Sequence, residues 1–435
     1  MLPAVMQPKG TATVAAVMRE EIDADTARRA IWAAVAVGAL VRVAYFFSKW
    51  GSPLLVNDSL YYAGQAHQLL RGIWFREVFF PEHPGAEHGP LTSILMAPVS
   101  IGDDFYRWQR LVTVATGIAL VWVLGRFAAE AAGARVGVVA AWIAAVYPNL
   151  WMNDGLVMSE SVSMLCVGCS LWAAWRVAHA DDGRAAWRAA AWLGLALGLA
   201  TLARSELVVF APLVALWVLL VRRRSALDWR PVVLALVTAG VLVSPWVVFN
   251  LTRFERPVLL TTNDGTTWLG ANCDAMYHGG DAGGWTIECI VADPDYRADE
   301  EPSVRSARQR SMGLGYVADH LGDVPKVVAA RLARTLDLYG LDDLVHQDVG
   351  EERPEWAAWA GIAMFWVLAV LAVVGVRRLP RRLWSLLLVP VGVVLVTTVL
   401  FYGGHRIRST AEPSLVVLSA ATVAWWWARR PRRVH

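Results

Sequence analysis

Residues 357–410 read AAWAGIAMFWVLAVLAVVGVRRLPRRLWSLLLVPVGVVLVTTVLFYGGHRIRST, and this stretch decides the fold class. It holds two apolar runs, 357–376 and 383–402, each close to the ~20 residues that a helix needs to cross a bilayer. Arg377, Arg378, Arg381 and Arg382 separate the runs, and such clusters mark the cytoplasmic ends of spans. The second run ends in a short cationic turn, His405, Arg406 and Arg408, on the side that this rule leaves poor in cations.

The same grammar extends in both directions. Apolar runs recur at 31–48, 106–129, 133–152, 157–178, 186–204, 206–221, 231–250 and 412–428. The expected fold is an all-α membrane protein of about ten transmembrane helices. With ten spans, Arg222–Arg224 and the arginines at 429, 430, 432 and 433 share the side of Arg377–Arg382, so both termini are expected in the cytoplasm. Residues 1–29 are polar and mixed in charge, and the run beginning near Ile31 is too long for a signal sequence, so it reads as a retained span. Composition agrees: 56% of the 435 residues are hydrophobic and 18% charged, with a mean hydropathy of +0.42. A net charge of +3 gives no footprint for nucleic acid. Arginine outnumbers lysine heavily, as in a GC-rich bacterial genome; the expected location is a bacterial plasma membrane.

The expected organisation is a cytoplasmic segment 1–30, seven spans over 31–252 with an outer loop 49–105, an outer loop domain 253–355, three spans over 356–428, and a basic cytoplasmic tail 429–435. Segment 253–355 carries 10 Lys+Arg and 19 Asp+Glu, hence 10 − 19 = −9, which argues against a cytoplasmic loop. It also holds Cys273 and Cys289, which suit either a disulfide in an oxidising compartment or two free thiols.

The outer loops carry the chemistry. Asn57-Asp58-Ser59-Leu60-Tyr61-Tyr62 opens a short amphipathic helix, with Leu60, Ala63, Ala66, His67 and Leu70 recurring at helical spacing. Such a helix lies along a membrane surface, and Gly89–Pro98 is a second apolar piece too short to span. Asp58 suits either a helix N-cap or a general base at the membrane boundary. Glu82, His83, Glu87 and His88 have ligand chemistry without a recognised zinc spacing and read as a solvated loop. Glu160 falls one turn inside the fourth span, where a carboxylate is either functional or held by the helix dipole. Arg204 and Glu206 sit at the outer junction of the fifth and sixth spans. A bound anion would explain the crowding of His405, Arg406 and Arg408.

Five places in this order resemble GT-C glycosyltransferases, of the kind related to family 39 protein mannosyltransferases, lipid A aminoarabinose transferases and RgtA/B/C/D-like enzymes. Asp58-Ser59-Leu60-Tyr61-Tyr62 with Gly89-Pro90-Leu91 resembles the acidic residue and Pro-Pro-Leu of the first outer loop, with Gly89 for the first Pro. Tyr147-Pro148 with Ser159-Glu160 resembles the second acidic position, and Leu202-Ala203-Arg204-Ser205 a Leu-Thr-Arg-Pro junction. Pro245-Trp246 through Trp268–Asn272 resembles a Pro-Trp…Gly-Asn-Asn stretch; Gly404–Arg408 with Pro413 resembles Gly-x-Arg-Tyr-Arg-x-Pro, with Ile407 for Tyr. The resemblance implies transfer of a sugar from a polyprenyl phosphate to an acceptor hydroxyl of an envelope glycan, lipid or protein. It implies Asp58 as base and Glu160 as its companion. Arg204, His405, Arg406 and Arg408 would hold the donor phosphate, and Tyr61, Tyr62, His88 and Asn272 would contact substrate. Some relatives need a divalent metal; the sequence assigns no metal ligands. A transporter or flippase of lipid-linked sugars is the rival from another class, and a non-catalytic envelope assembly protein is a third.

Overall fold

The computed structural model describes residues 22–55, 57–181, 183–297 and 299–429. Residues 1–21 of the expected cytoplasmic segment and 430–435 of the basic tail lie outside these. Among the described residues the chain is helical, with no β-sheet beyond isolated bridges such as Arg76 to Pro84.

In chain order the main helices are α1 (Ala24–Ser48), α2 (Asn57–Leu70), α3 (Pro90–Met96), α4 (Phe105–Ala132), α5 (Ala134–Val146), α6 (Glu160–His179), α7 (Arg184–Ala203) and α8 (Phe210–Arg224). There follow α9 (Arg230–Leu251), α10 (Asp264–Ala271), α11 (Pro302–Asp319), α12 (Val324–Thr335), α13 (Leu341–Gly350), α14 (Glu355–Val376), α15 (Arg381–Leu400) and α16 (Glu412–Ala428). Each of the ten apolar runs is a helix. Eight are long and apolar enough to cross a membrane, α8 when taken with the 3-10 turn before it as Ser205–Arg224; α5 and α16 are shorter than these. The protein is a multi-pass membrane protein. Helix α1 starts seven residues before its apolar run because the Asp23 carboxylate caps it, accepting from the backbone N–H groups of Asp25 and Thr26.

Helix α5 ends at the Tyr147-Pro148 step and packs on α1, α4 and α16. Its Ala140, Ala141, Ala144 and Ala145 are fully buried. Small side chains let helix backbones approach closely where lipid, rather than water, is the solvent. Buried among them, Arg42 of α1 donates to Asp154 Oδ2 at 2.6 Å and to the carbonyls of Ala144 and Ala145. Gly117 of α4 makes room for this pair: a Cβ there would lie 2.0 Å from Asp154 Oδ2. Arg42→Ala strands a buried carboxylate and is expected to cost about 3–5 kcal/mol. Gly117→Ala is expected to destabilise as well. Thermal unfolding in detergent checks both; melting unchanged from wild type would show that the ion pair does not lock these helices.

Helices α10–α13 belong to segment 253–355, where Cys273 and Cys289 are joined in a disulfide. The segment rests on one end of the bundle. Thr262 N–H donates to Ala86 O and Gly403 N–H to Gly283 O, both at 2.8 Å, and Arg331 reaches Val399 O. The arginine clusters occupy the opposite end. Arg222 donates to the carbonyls of Val177 and Ala180 at the close of α6, and the Trp217 indole N–H reaches Ser385 Oγ at the start of α15.

Candidate active site

Helix α2 packs on α3 and α4 and buries Tyr61, Tyr62, Ala63 and Ala66. Leu60 and Leu70 point outward, 36% and 45% exposed, so the aromatic pair sets the inner face rather than the leucines. Asp58 sits in the first helical turn, and its carboxylate turns to a guanidinium. Arg406 Nη2 donates to Asp58 Oδ2 at 2.5 Å, Nε to Glu160 Oε1 at 2.6 Å, and Nη1 to Glu351 Oε1 at 2.9 Å. One guanidinium thus holds three carboxylates from three distant parts of the chain. Glu160, fully buried at the start of α6, also accepts from Arg204 Nη1 at 3.0 Å, and Arg204 Nε reaches Glu206.

Only the start of loop 81–88 is solvated as its composition suggests: Pro81 and Glu82 are exposed, whereas Gly85, Ala86 and His88 are buried. The Arg76–Pro84 bridge and the Gly85 N–H to Phe75 O bond at 2.8 Å fold it inward. Gly89 then packs so tightly on the α7–α8 junction that a Cβ would meet Leu202 O at 2.4 Å. The fold brings His88 Nε2 to 3.3 Å from Asp58 Oδ1 and stacks its ring on Tyr62, centroids 4.8 Å apart. Tyr61 meets the same ring edge-on, and its hydroxyl accepts from the Glu87 backbone N–H. Burial works against the Asp58 carboxylate, but Arg406 and His88 outweigh it and hold it well below the usual carboxylate range. Burial also opposes the His88 imidazolium; the Asp58 charge overcomes it and raises the His88 pKa. Burial pushes the Glu87 carboxyl up. Oxygens of Asp58 and Glu87 and a nitrogen of His88 lie within 4.8 Å of one another, a carboxylate–carboxylate–imidazole set that suits a divalent cation.

Of the three cations in the outer turn, only Arg406 joins this cluster. Residues 405–408 form one helical turn, and positions 406 and 408 are about 200° apart around it. Arg408 therefore faces the bundle. Its Nε donates to Glu412 at 2.7 Å and its Nη1 to Asp337 at 2.8 Å, and its guanidinium lies on the Phe365 ring. Glu412 also accepts from the Tyr147 hydroxyl at 2.9 Å. His405 bridges Asp348 at 3.0 Å and Asp337 at 3.3 Å. Asn272 stands apart from Asp58: fully buried, its oxygen accepts from Arg331 and the Tyr277 hydroxyl, each at 2.9 Å, and its amide donates to Trp268 O.

Sequence reasoning missed Glu351 and Arg353. Arg353 donates to Asp348 at 3.0 Å, to Asn153 at 2.9 Å, and to Glu351, so it fixes the carboxylate that Arg406 grips. The only sequence signal was the charged run Glu351-Glu352-Arg353 just ahead of Pro354 and an apolar span.

The His405 clamp makes stability pH-dependent. Burial opposes its charge, but Asp348 and Asp337 outweigh that and raise its pKa to about 9, above the ordinary 6.5. A raised folded-state pKa contributes stability that is complete below about 6.5 and disappears as pH passes about 9. The melting temperature in detergent is expected to fall between those values, and His405→Gln to flatten the fall. A wild-type melting temperature constant across that window would sink this account.

Residues 89–249 match the family model described as dolichyl-phosphate-mannose-protein mannosyltransferase. No curated protein matches the chain. Among solved structures, the archaeal oligosaccharyltransferase AglB from Archaeoglobus fulgidus, in complex with an inhibitory peptide and a dolichol-phosphate, aligns at 13% identity over 90% of this chain and 50% of its own, with a TM-score of 0.53. The Archaeoglobus fulgidus oligosaccharyltransferase complexed with Zn and sulfate aligns at 14% over 91% of this chain and 48% of its own, with a TM-score of 0.55. ArnT from Cupriavidus metallidurans bound to undecaprenyl phosphate aligns at 17% over 88% and 77%, with a TM-score of 0.45. The chain spans about half the length of the oligosaccharyltransferases that it matches. The two oligosaccharyltransferase likenesses establish the fold alone: the chain has a GT-C architecture.

Proposed function

We propose that this protein is a glycosyltransferase that moves a sugar from a polyprenyl-phosphate carrier to an acceptor hydroxyl outside the cytoplasm. The observation that carries the reading is Arg406, whose guanidinium bridges Asp58 and Glu160 at the end of the bundle away from the arginine clusters. Carboxylates occupy the fork that a phosphate monoanion or diester would take in bidentate fashion.

In this reading the donor phosphate docks on Arg406, with Arg204 beside it, and displaces Asp58. Freed of Arg406, one of its two counter-charges, the Asp58 carboxylate rises from its depressed pKa and becomes a better base. It takes the proton of the acceptor hydroxyl. The oxygen forms its bond to the anomeric carbon from the opposite face, and the bond from that carbon to the phosphate oxygen breaks. The electron pair leaves on the lipid phosphate, where Arg406 and Arg204 stabilise the added charge. Glu160 keeps both guanidinium groups oriented, and Tyr61, Tyr62 and His88 set the position of Asp58. His405 and Arg408 belong to the donor end as holders of the turn that presents Arg406. If a divalent cation takes part, Asp58, Glu87 and His88 would hold it, supplying positive charge to donor phosphate. The segment boundaries follow the same reading: the end carrying the Arg222–Arg224 and Arg377–Arg382 clusters and both termini is cytoplasmic, 49–105 and 253–355 face outward, and the membrane is a bacterial plasma membrane. The dolichol-phosphate of the AglB structure supports a lipid-phosphate donor.

The test incubates purified protein with a panel of polyprenyl-phosphate sugars and scores release of lipid phosphate. Release with at least one donor is expected. Transbilayer movement of the lipid-linked sugar in vesicles, without release from any donor, would replace this reading with that of a flippase.

A further inference from the structure

A cleft of about 950 Å³ opens between α4, α6 and α7, with its mouth at the bundle end remote from Asp58. That volume lies at the upper end of the ~300–1,000 Å³ usual for ligand sites. Its wall on α6 runs from Leu165 to Ala180, which at the helical rise is about 22 Å. This is more than the ~15 Å depth of one hydrocarbon leaflet and reaches the headgroup zone. The deep part is apolar. Trp122 and Trp172 meet edge-on at 5.5 Å, and Trp192, 66% exposed, stands on the opposite wall.

The mouth is polar and basic. Glu130 is taken up by Arg176, whose Nη2 reaches it at 2.7 Å, and by the Trp172 indole N–H at 3.0 Å. The Arg176 guanidinium also lies 4.4 Å from the Trp172 ring centre. This leaves Arg188, exposed at the mouth and without an ion-pair partner among the described residues, as uncompensated positive charge, with His179 beside it. An apolar slot about 22 Å long that ends in an unneutralised guanidinium matches an amphiphile with acyl chains and an anionic head.

We propose that this cleft is a binding site for one anionic phospholipid of the leaflet opposite the catalytic end. Its acyl chains pack on Trp122, Trp172 and Trp192, and its phosphate meets Arg188. The site is independent of the glycosyl-transfer reading, since none of its residues touches Asp58, Glu160 or Arg406.

The test purifies the full chain in mild detergent and counts retained lipids by native mass spectrometry. Wild type is expected to retain one phosphatidylglycerol-class lipid per chain in preference to zwitterionic lipid. Arg188→Glu is expected to lower that retention about tenfold. Ala189→Phe, which fills the slot, is expected to lower retention of phospholipids of every head group. Circular-dichroism melts confirm that both variants fold. If either does not, delipidated wild type is titrated with brominated phosphatidylglycerol and brominated phosphatidylcholine, and stronger tryptophan quenching by the anionic lipid is expected. Retention insensitive to both substitutions, equal quenching by the two lipids, or recovery of a polyprenyl lipid in place of phospholipid would each overturn the proposal.

Discussion

Asp58→Asn is expected to lower lipid-phosphate release by about 10²–10⁴-fold while leaving the protein folded. Asparagine keeps the size of the side chain and an oxygen that can accept from Arg406 Nη2, which now meets Asp58 at 2.5 Å. It cannot take up a proton. The fold tolerates the change because Arg406 still has Glu160 and Glu351, at 2.6 and 2.9 Å, to balance it. The pH profile gives a second measure. With Arg406 and His88 beside it, Asp58 is ionised throughout the working range, and its folded-state pKa is depressed. Once donor phosphate occupies Arg406, the acid limb of kcat is expected to lie at higher pH than that of kcat/KM, because the Asp58 carboxylate then keeps only His88 as a counter-charge. A variant that retains wild-type release under saturating donor would remove Asp58 from the role of base.

Arg406→Ala is expected to abolish release and also to destabilise the protein at neutral pH. It withdraws the counter-charge from Asp58, Glu160 and Glu351 together. Glu160 keeps Arg204 and Glu351 keeps Arg353, so the loss falls mainly on Asp58 and on the repulsion among the three. Arg406 and Asp58 are each about a fifth exposed and Asp58 keeps His88, so the loss is expected to stay below the ~3–5 kcal/mol of a fully buried pair. Part of that is expected to return as pH falls and carboxylates take up protons. Arg406→Lys separates the two effects. Its charge preserves much of the stability, but a point charge cannot grip a phosphate and two carboxylates in one plane, so donor binding is expected to stay weak. Melting temperature and donor affinity, measured on both variants across pH, check this. Full donor affinity in Arg406→Ala would place the phosphate elsewhere.

The legible part of the fold was local in kind. Ten apolar runs became ten helices, because span length and hydropathy are properties of consecutive residues. The short α5 shows the limit of that logic. Its run was expected to reach residue 152, yet the helix stops at Val146, because Pro148 holds the preceding Tyr147 in an extended conformation. In the site, Glu160, Arg204 and Arg406 stood out as charges where hydropathy or the arginine asymmetry disfavoured them, whereas Asp58, a fair helix N-cap by local sequence, was singled out through the resemblance. Glu351 did not, being one acidic residue among many in an acidic segment.

Hydropathy, arginine placement and the charge misfits at span ends determined the membrane class, the helix order and a short set of candidate residues, since each depends only on neighbours along the chain. Which guanidinium meets which carboxylate was decided by tertiary structure. A rotation of about 200° sends Arg408 into the bundle and Arg406 to Asp58, and a folded-in loop delivers His88 and the segment before α14 delivers Glu351. Such meetings join residues up to 348 positions apart, and only packing among helices sets their distances.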